Sequence, residues 1–343
     1  MSTKTPTIPT VDISPLFGTD AEAIAAVDRA IGKACEESGA FLAIGIPKPI
    51  CPDDEQTNKL LAFYELPMAE RQSLSIRKNN PESDRDYRGY SATLKGGWAH
   101  NEMYDIGPPY EVTVPDLPHA EQLIESNAWP STEPADGWQQ EMETYFNHMH
   151  DFSDKLMRSM IRYLGANEQV GAARFEKSNS TLRLLNYPKM PEGLVIGDIE
   201  NATREFGGEQ LRVMAIEHKD QCCLSLLWQS DVGGLQMQAP SGEWQAIPEE
   251  ADAISIHLGM SMESMSGNVF AATPHRVLGR GNQARQSIGF FFEPNPHGST
   301  LPFTCEAAEP PTPIEDTYAG QLLQTFAERQ ARRAEQERQE SAK

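Results

Sequence analysis

The chain has 343 residues, with 29 Lys plus Arg against 50 Asp plus Glu, so its formal charge at pH 7 is −21. This acidic balance argues against a protein that binds nucleic acid or an anionic membrane surface, because phosphate groups are held by concentrated Lys and Arg. Apolar residues make up 39% and charged residues 23%, which is the composition of a globular protein and not of a disordered one.

The sequence also predicts neither a membrane span nor a signal peptide. The most apolar stretches, such as Cys222–Trp228 and Ile288–Phe292, are far shorter than the roughly 20 residues of a transmembrane helix. The first residues, Met1–Thr7, lack the apolar segment of a signal peptide. The five cysteines show no CxxC spacing, which favours free thiols in a reducing compartment. We therefore expect a cytoplasmic protein, monomeric or homodimeric, with no membrane or nucleic-acid partner.

The first half of the chain predicts helices with a few strands. Residues 8–13 roughly alternate apolar and polar side chains and predict a strand. Apolar residues at helical spacing predict a helix over Asp20–Ser38, ended by Gly39 and followed by a β-rich run over Ala40–Ile46. The next predicted elements are a helix over 52–76, loops and irregular strand over 78–110, and the strongest amphipathic helix over 138–165.

From about residue 180 the pattern changes to short β-rich runs separated by turn residues. Such a pattern is typical of an antiparallel barrel or sandwich. The predicted strands are Thr181–Leu185, Leu224–Trp228, Gly234–Gln238, Ala253–His257, Val269–Ala272 and Gln286–Glu293. Residues 316–343 are rich in charges of both signs and predict a solvated C-terminal helix or tail.

Three short segments place a histidine and a carboxylate two residues apart, namely His100–Glu102, His119–Glu121 and His218–Asp220. On a strand, residues at this spacing share a face and can offer two ligands to one metal ion. Only His218–Asp220 is followed by an apolar run, by further predicted strands and by His275. Two histidines and one carboxylate form the facial triad of non-haem Fe(II) sites.

The order of motifs in this region resembles the isopenicillin N synthase-like family of Fe(II)/2-oxoglutarate-dependent dioxygenases. In chain order the motifs are His218-Lys-Asp220, Val232-Gly-Gly-Leu-Gln236, Ala271-Ala-Thr-Pro-His275-Arg-Val277, Arg285-Gln-Ser287 and Phe291-Phe-Glu-Pro-Asn295. The earlier segments that resemble the family are Ile8–Ser14, Ala34–Phe41, Arg88–Tyr90, Asn127–Pro130 and Leu184–Pro188. The resemblance covers about residues 7–297.

The resemblance implies a mainly β fold whose core is a double-stranded β-helix, the jelly-roll or cupin-like architecture, flanked by helices. The core would span 180–297, with the helix and strand region 7–115 packed on it. Residues 1–343 would then form a single catalytic domain with the charged segment 316–343 at its end. Residues 196–210 lie in a stretch that is longer than usual for the family. They form either a flap over the active-site mouth or a passive surface loop.

The resemblance also implies a set of site residues. His218, Asp220 and His275 would bind Fe(II), and the co-substrates would be 2-oxoglutarate and O2, with ascorbate as a stimulant. Arg285 would pair with the distal carboxylate of 2-oxoglutarate, Ser287 would donate a further hydrogen bond, and Tyr187 would contact the co-substrate.

The activity implied is an oxygenase of secondary metabolism that acts on a small molecule. It would hydroxylate, desaturate or oxidatively cyclise its substrate and release succinate and CO2. Two alternatives stay open at this point. The first is a non-haem iron oxidase of the same fold that does not consume 2-oxoglutarate. The second is a cupin-like binding protein without catalysis.

The substrate contacts are the least determined part of the site. A substrate carboxylate would suit Arg88 or Lys95, which favours an amino-acid-derived or other small polar metabolite. The full set of predicted substrate residues is Arg88, Tyr90, Lys95, Glu102 and Phe292, with Trp98 and Asn101 as further candidates.

Overall fold

The computed structural model describes residues 8–93, 97–197, 199–305, 314–325 and 327. Near the N-terminus, β1 (Thr10–Asp12) and β2 (Ala40–Ile44) are joined through helix α1 (Ala21–Ser38). The Asp20 side chain accepts hydrogen bonds from two backbone N–H groups of the first turn of α1, and Gly39 ends the helix in the left-handed conformation. These predicted elements are confirmed.

The helix predicted over 52–76 is divided into three parts. They are α2 (Asp54–Leu61), a 3-10 turn (Ala62–Glu65) and α3 (Met68–Ser73). The break before α3 falls at Pro67, which has no backbone N–H to continue the hydrogen-bond ladder of the preceding turn. The elements that follow are β3 (Gly89–Ser91), β4 (Glu102–Ile106), α4 (Trp138–Tyr163) and α5 (Glu168–Ala173).

Most of the regular elements in the second half of the described chain are strands. Its strands are β5 (Thr181–Tyr187), β6 (Val195–Ile196), β7 (Ile199–Glu200), β8 (Thr203–Phe206), β9 (Glu209–His218), β10 (Leu224–Gln229), β11 (Leu235–Gln238), β12 (Trp244–Ala246), β13 (Ile254–Leu258), β14 (His275–Gly279) and β15 (Arg285–Phe292). A short helix, α6 (Met260–Met265), connects β13 to β14.

These strands form two large sheets. The larger has eight strands in the order β1-β2-β13-β10-β15-β5-β4-β3, and the smaller has five in the order β12-β11-β14-β9-β8. Except for β1 and β2, which are parallel, the paired strands of both sheets are antiparallel. The chain crosses between the sheets twice around the site described below, after β9 and after β13. The predicted mainly β jelly-roll with flanking helices is confirmed.

The pleat of the larger sheet separates an apolar face from a polar face. On β15, Phe290 and Phe292 point outward and join the core formed with α1 and α4. Phe290 packs edge-on against Phe146 of α4, and Phe292 stacks on Phe175. Arg285 and the other alternate residues of β15 point inward, toward the smaller sheet. This alternation determines which side chains reach the cavity between the sheets.

One predicted strand is wrong, and four observed strands lie where no strand is predicted. Residues Val269–Ala272 form no strand, since the backbone N–H of Phe270 donates to Ser266 Oγ and that of Ala272 to the Glu263 carboxylate, both on or next to α6. The strand of this region starts at His275 instead. Strands β6–β9 were not predicted, because the residues of β7 and β8 are mostly exposed and polar and lack an apolar alternation.

Residues 318–325 are helical, and the rest of the predicted C-terminal helix or tail beyond 327 lies outside the described residues. No helix among the described residues is both long enough and apolar enough to cross a membrane. That residues 1–343 form a single catalytic domain stays a prediction.

The turn into β11 generates a test of the fold. Gly234 has φ +94°, and a Cβ atom there would lie 2.2 Å from the carbonyl oxygen of Leu278. We expect Gly234→Ala to lower the free energy of unfolding by about 3 kcal/mol, because backbone strain adds to a steric clash. Gly242→Ala is the matched control: φ is +89° but the space is open, so it should cost only about 1 kcal/mol. Urea unfolding measures both, and equal losses would contradict the clash.

Candidate metal centre

Three metal-ligating side chains converge where the two sheets meet. His218 ends β9, Asp220 follows in the turn to β10, and His275 begins β14. His218 and His275 are opposite each other in neighbouring antiparallel strands, and their ring centroids are 4.2 Å apart. One ligand atom from each of the three residues lies within 4.8 Å of the other two. Two imidazoles and one carboxylate are the donor set of a facial triad.

Backbone carbonyls fix the orientation of both imidazoles. His218 Nδ1 lies 2.8 Å from the carbonyl oxygen of Ile216, and His275 Nδ1 lies 3.3 Å from that of Thr273. If each Nδ1–H donates to its carbonyl, each Nε2 keeps a free lone pair. The two Nε2 atoms are 3.8 and 3.7 Å from the oxygens of Asp220. The residues therefore fit a divalent metal ion.

The protonation states favour metal binding as well. Burial is the main cause that lowers the pKa of His218 and of His275 to about 4, so both imidazoles are neutral near pH 7. Burial alone would raise the pKa of Asp220, but His275 and the hydrogen bond from His257 hold it well below its usual range. Neutral imidazoles and an ionised carboxylate are the forms that bind metal.

Sequence reasoning missed two neighbours of Asp220. Its Oδ2 atom accepts a hydrogen bond of 2.5 Å from Ser225 Oγ and lies 3.1 Å from His257 Nε2. His257 is fully buried, and its ring centroid is 4.4 Å from that of His275. His257 ends a predicted strand, but a single histidine on a strand carries no metal signal, so the sequence offered no reason to select it.

The opposite end of the same cavity carries a buried cation. Arg285 is 2% exposed, and its guanidinium carbon lies 5.0 Å from the ring centroid of Tyr187. Its Nε donates to the carbonyl of Gly233 at 2.7 Å, and its Nη2 donates to Gln229 Oε1 at 3.2 Å. Burial lowers the pKa of Arg285, and among the described residues no carboxylate forms an ion pair with it. A buried, unpaired guanidinium is costly and favours binding of an anion.

The structure brings the six predicted metal and co-substrate residues to one cavity. They are His218, Asp220, His275, Arg285, Ser287 and Tyr187. Ser287 lies two residues after Arg285 on the same face, and its hydroxyl donates to the carbonyl of Trp228 at 2.6 Å. Two of the further substrate candidates, Trp98 and Asn101, line it as well. The remaining lining residues are Met103, Arg183, Leu185, Leu227, Leu235, Val277 and Phe291.

Three predicted substrate residues do not line this cavity. The Arg88 guanidinium donates to Thr181 Oγ1 at 2.6 Å and lines a second cavity instead. The Tyr90 hydroxyl donates to Glu102 Oε1 at 2.7 Å, and Oε2 of Glu102 accepts a hydrogen bond of 2.9 Å from Arg71. Their polar groups are satisfied within the protein. Lys95 lies outside the described residues.

The prediction of Phe292 is also wrong, for a reason that the strand makes plain. Arg285 and Ser287 point into the cavity, so residues an even number of positions further along β15 do the same. Phe291 therefore lines the cavity, whereas Phe292 points into the apolar core. The same alternation on β5 brings Arg183 to the cavity together with Tyr187.

A second cavity adjoins the first across Arg183, which lines both. Arg183 donates two hydrogen bonds of 2.7 Å to the carboxylate of Asp105, and its guanidinium carbon is 4.9 Å from the ring centroid of Phe291. Glu293 also lines the second cavity, and burial raises its pKa to about 7 although Arg88 opposes the shift.

Two family models match the chain, and together they span more than half of it. Residues 178–294 match the model described as the 2OG-Fe(II) oxygenase superfamily. Residues 8–132 match the model described as non-haem dioxygenase in morphine synthesis N-terminal.

Curated relatives match over nearly their whole length. The 2-oxoglutarate-Fe(II) type oxidoreductase hxnY of Emericella nidulans is 27% identical, covering 95% of this chain and 93% of that protein. Isopenicillin N synthase of Streptomyces clavuligerus is 28% identical, covering 92% and 93%. The crystal structure of Neurospora crassa T7H in complex with alpha-KG and thymine has a TM-score of 0.69 and 23% identity, covering 93% of this chain and 96% of that chain. That likeness concerns the fold.

The raised pKa of Glu293 generates a prediction for stability. In the unfolded chain its pKa is near the ordinary 4.5, so deprotonation disfavours folding progressively as the pH rises from about 4.5 to about 7. We expect Glu293→Gln to remove this penalty and to raise Tm at pH 8 by about 2 °C or more. At pH 5 the gain should be less than half as large.

Calorimetry at the two pH values measures the effect. Glu250→Gln, at an exposed glutamate, serves as the control and should change Tm little at either pH. An equal gain at pH 5 and pH 8 for Glu293→Gln would show that the carboxyl is not held protonated by burial.

Proposed function

Since the chain belongs to the 2OG-Fe(II) oxygenase superfamily, and is a non-haem dioxygenase that uses Fe(II), 2-oxoglutarate and O2, we propose that His218, Asp220 and His275 hold its iron. The observation that carries this assignment is the convergence of their ligand atoms within 4.8 Å. Bound there with 2-oxoglutarate, the iron supplies the oxygen activation that oxidises a small molecule and yields succinate and CO2. The chain holds the ligands in position through the carbonyls that fix the two imidazoles.

Arg285 is the residue that we assign to the distal carboxylate of 2-oxoglutarate. A guanidinium offers a planar fork that suits a carboxylate, and Nη1 of Arg285 has no hydrogen-bond acceptor among the described residues. Tyr187 lies beside the guanidinium and restricts its plane. The Ser287 hydroxyl can exchange the Trp228 carbonyl for the carboxylate. Binding thus replaces the missing counter-ion of a buried cation.

The substrate, in this proposal, lies between the metal ligands and a wall formed by Trp98, Asn101 and Phe291. Trp98 packs edge-on against His218, at 4.6 Å between ring centroids, and is 37% exposed, which places it at the mouth of the cavity. Aromatic faces and a side-chain amide suit a small polar molecule. Arg183 is the nearest further cation, but Asp105 neutralises it. A free carboxylate on the substrate is therefore not required.

Binding of 2-oxoglutarate tests the role of Arg285. We expect Arg285→Gln to weaken 2-oxoglutarate binding to the Mn(II)-loaded protein at least tenfold, because a charge-assisted pair is lost. Arg280→Gln is the matched control, since Arg280 pairs with Glu209 on the exposed surface, and it should bind like the parent. Calorimetric titration measures the affinities, and equal affinity of Arg285→Gln and the parent would remove Arg285 from the site.

Succinate formation tests the activity itself. The anaerobic Fe(II)-loaded protein is mixed with 2-oxoglutarate and a panel of small polar metabolites, and succinate is followed after O2 is admitted. We expect the parent to form succinate and Asp220→Ala to form none, since the only carboxylate of the cluster is lost. Asp231→Ala, at an exposed aspartate, should behave like the parent.

Two results of this assay would contradict the proposal. Full activity in His275→Ala would overturn the assignment of the three ligands. Substrate oxidation without any succinate would favour the alternative oxidase that does not consume 2-oxoglutarate.

A further inference from the structure

The two oxygens of Asp220 have different surroundings. Oδ2 accepts a hydrogen bond from Ser225 Oγ at 2.5 Å and lies 3.1 Å from His257 Nε2. Oδ1 accepts no hydrogen bond from any residue that the structure describes. Each oxygen also faces one imidazole, since Oδ1 lies 3.8 Å from His218 Nε2 and Oδ2 lies 3.7 Å from His275 Nε2. The difference between the two oxygens is therefore in their hydrogen bonds. The larger sheet therefore holds the carboxylate through one oxygen and leaves the other available to a metal ion.

The register of the larger sheet places both donors on the same oxygen. Ser225 of β10 and His257 of β13 are directly opposite each other in antiparallel strands, so their side chains stand next to each other on one face. All five residues of β13 are buried, and the strand lies between β2 and β10. His257 is thus fixed on a central strand and cannot move aside without disturbing the sheet.

The hydrogen-bonding environment of His257 indicates why a histidine occupies this position on β13. Its Nδ1 is buried and has no hydrogen-bond partner in the described part of the chain. Its only hydrogen bond there is with Asp220. A buried nitrogen without a partner is unfavourable, and an apolar side chain would fill a central strand without that cost. The contact with Asp220 is therefore the contribution that His257 makes.

We propose that His257, together with Ser225, is a positioning residue that makes Asp220 a ligand through Oδ1 alone. This inference rests on the proposed function of the cluster. A carboxylate that is free to rotate can use both oxygens and fill a coordination position that the two co-substrates need. By holding Oδ2, His257 keeps that position available. His257 itself lies outside the group of three ligands.

Substitutions at His257 test the proposal on the full chain with Co(II) as the probe, because its visible spectrum responds to coordination number. We expect His257→Leu to raise the Co(II) dissociation constant at least tenfold and to change the visible spectrum. His257→Gln keeps an N–H donor and should bring the dissociation constant within about threefold of the parent value. Ser225→Ala should change both readouts in the same direction as His257→Leu, but less.

The control is Ser255→Ala. Ser255 lies on the same strand and is as buried as His257, but its hydroxyl donates to the carbonyl of Leu227 at 3.1 Å and not to Asp220. It should leave Co(II) binding and the spectrum unchanged. Melting curves of every variant show whether the fold is retained, and Ser225→Ala with His257→Gln decide the matter if His257→Leu does not fold.

The outcomes separate this inference from the assignment of the metal site. Unchanged Co(II) affinity and spectrum in both His257→Leu and Ser225→Ala, with binding abolished in Asp220→Ala, would overturn the positioning role alone. Unchanged Co(II) binding in Asp220→Ala would overturn the metal assignment itself.

Discussion

The alternation of side chains along the strands of the larger sheet is the constraint on which the rest of the structure depends. On β15 it points Arg285, Ser287 and Phe291 into the cavity and sends Phe290 and Phe292 into the core with the helices. A shift of one residue in register would bury the Arg285 guanidinium among aromatic rings and expose those rings to the cavity. The apolar core and the polar site are therefore specified by the same pattern and cannot be changed independently.

The cavity is defined electrostatically by two buried charges of opposite sign. Asp220 lies among neutral imidazoles and attracts a cation, whereas Arg285 has no counter-ion among the described residues and attracts an anion. A molecule that carries a carboxylate and also ligates a metal ion satisfies both at once. The net charge of −21 is a property of the whole chain, whereas interactions inside a buried cavity are short-range and are screened much less than those between surface charges. A dianion can therefore bind within an acidic protein.

The sequence was sufficient to predict the fold class and the positions that converge at the cavity, because these depend on local spacing and on the order of motifs. It could also have identified Phe291 and Arg183, since each lies an even number of residues from a predicted site residue on the same strand. The predicted Phe292 lies an odd number of residues from Arg285 and therefore belongs to the opposite face of the strand. By contrast, nothing local connects His257 to Asp220, because their contact arises from the pairing of β13 with β10. The hydrogen bond from Arg88 to Thr181 likewise joins residues that are distant in sequence, whereas that from Tyr90 to Glu102 joins the consecutive strands β3 and β4.

The cluster lies at two of the points where the chain passes between the sheets. Asp220 is in the turn that leaves the smaller sheet after β9 and enters the larger sheet at β10, and His275 starts β14 after the return from β13. The smaller sheet supplies both imidazoles, and the larger sheet fixes the carboxylate through Ser225 and His257. A metal ion held by all three ligands is therefore bonded to the smaller sheet directly and is linked to the larger sheet through the hydrogen bonds of Asp220. Because such an ion binds only when the sheets are correctly apposed, its binding energy stabilises the folded arrangement as well as the site.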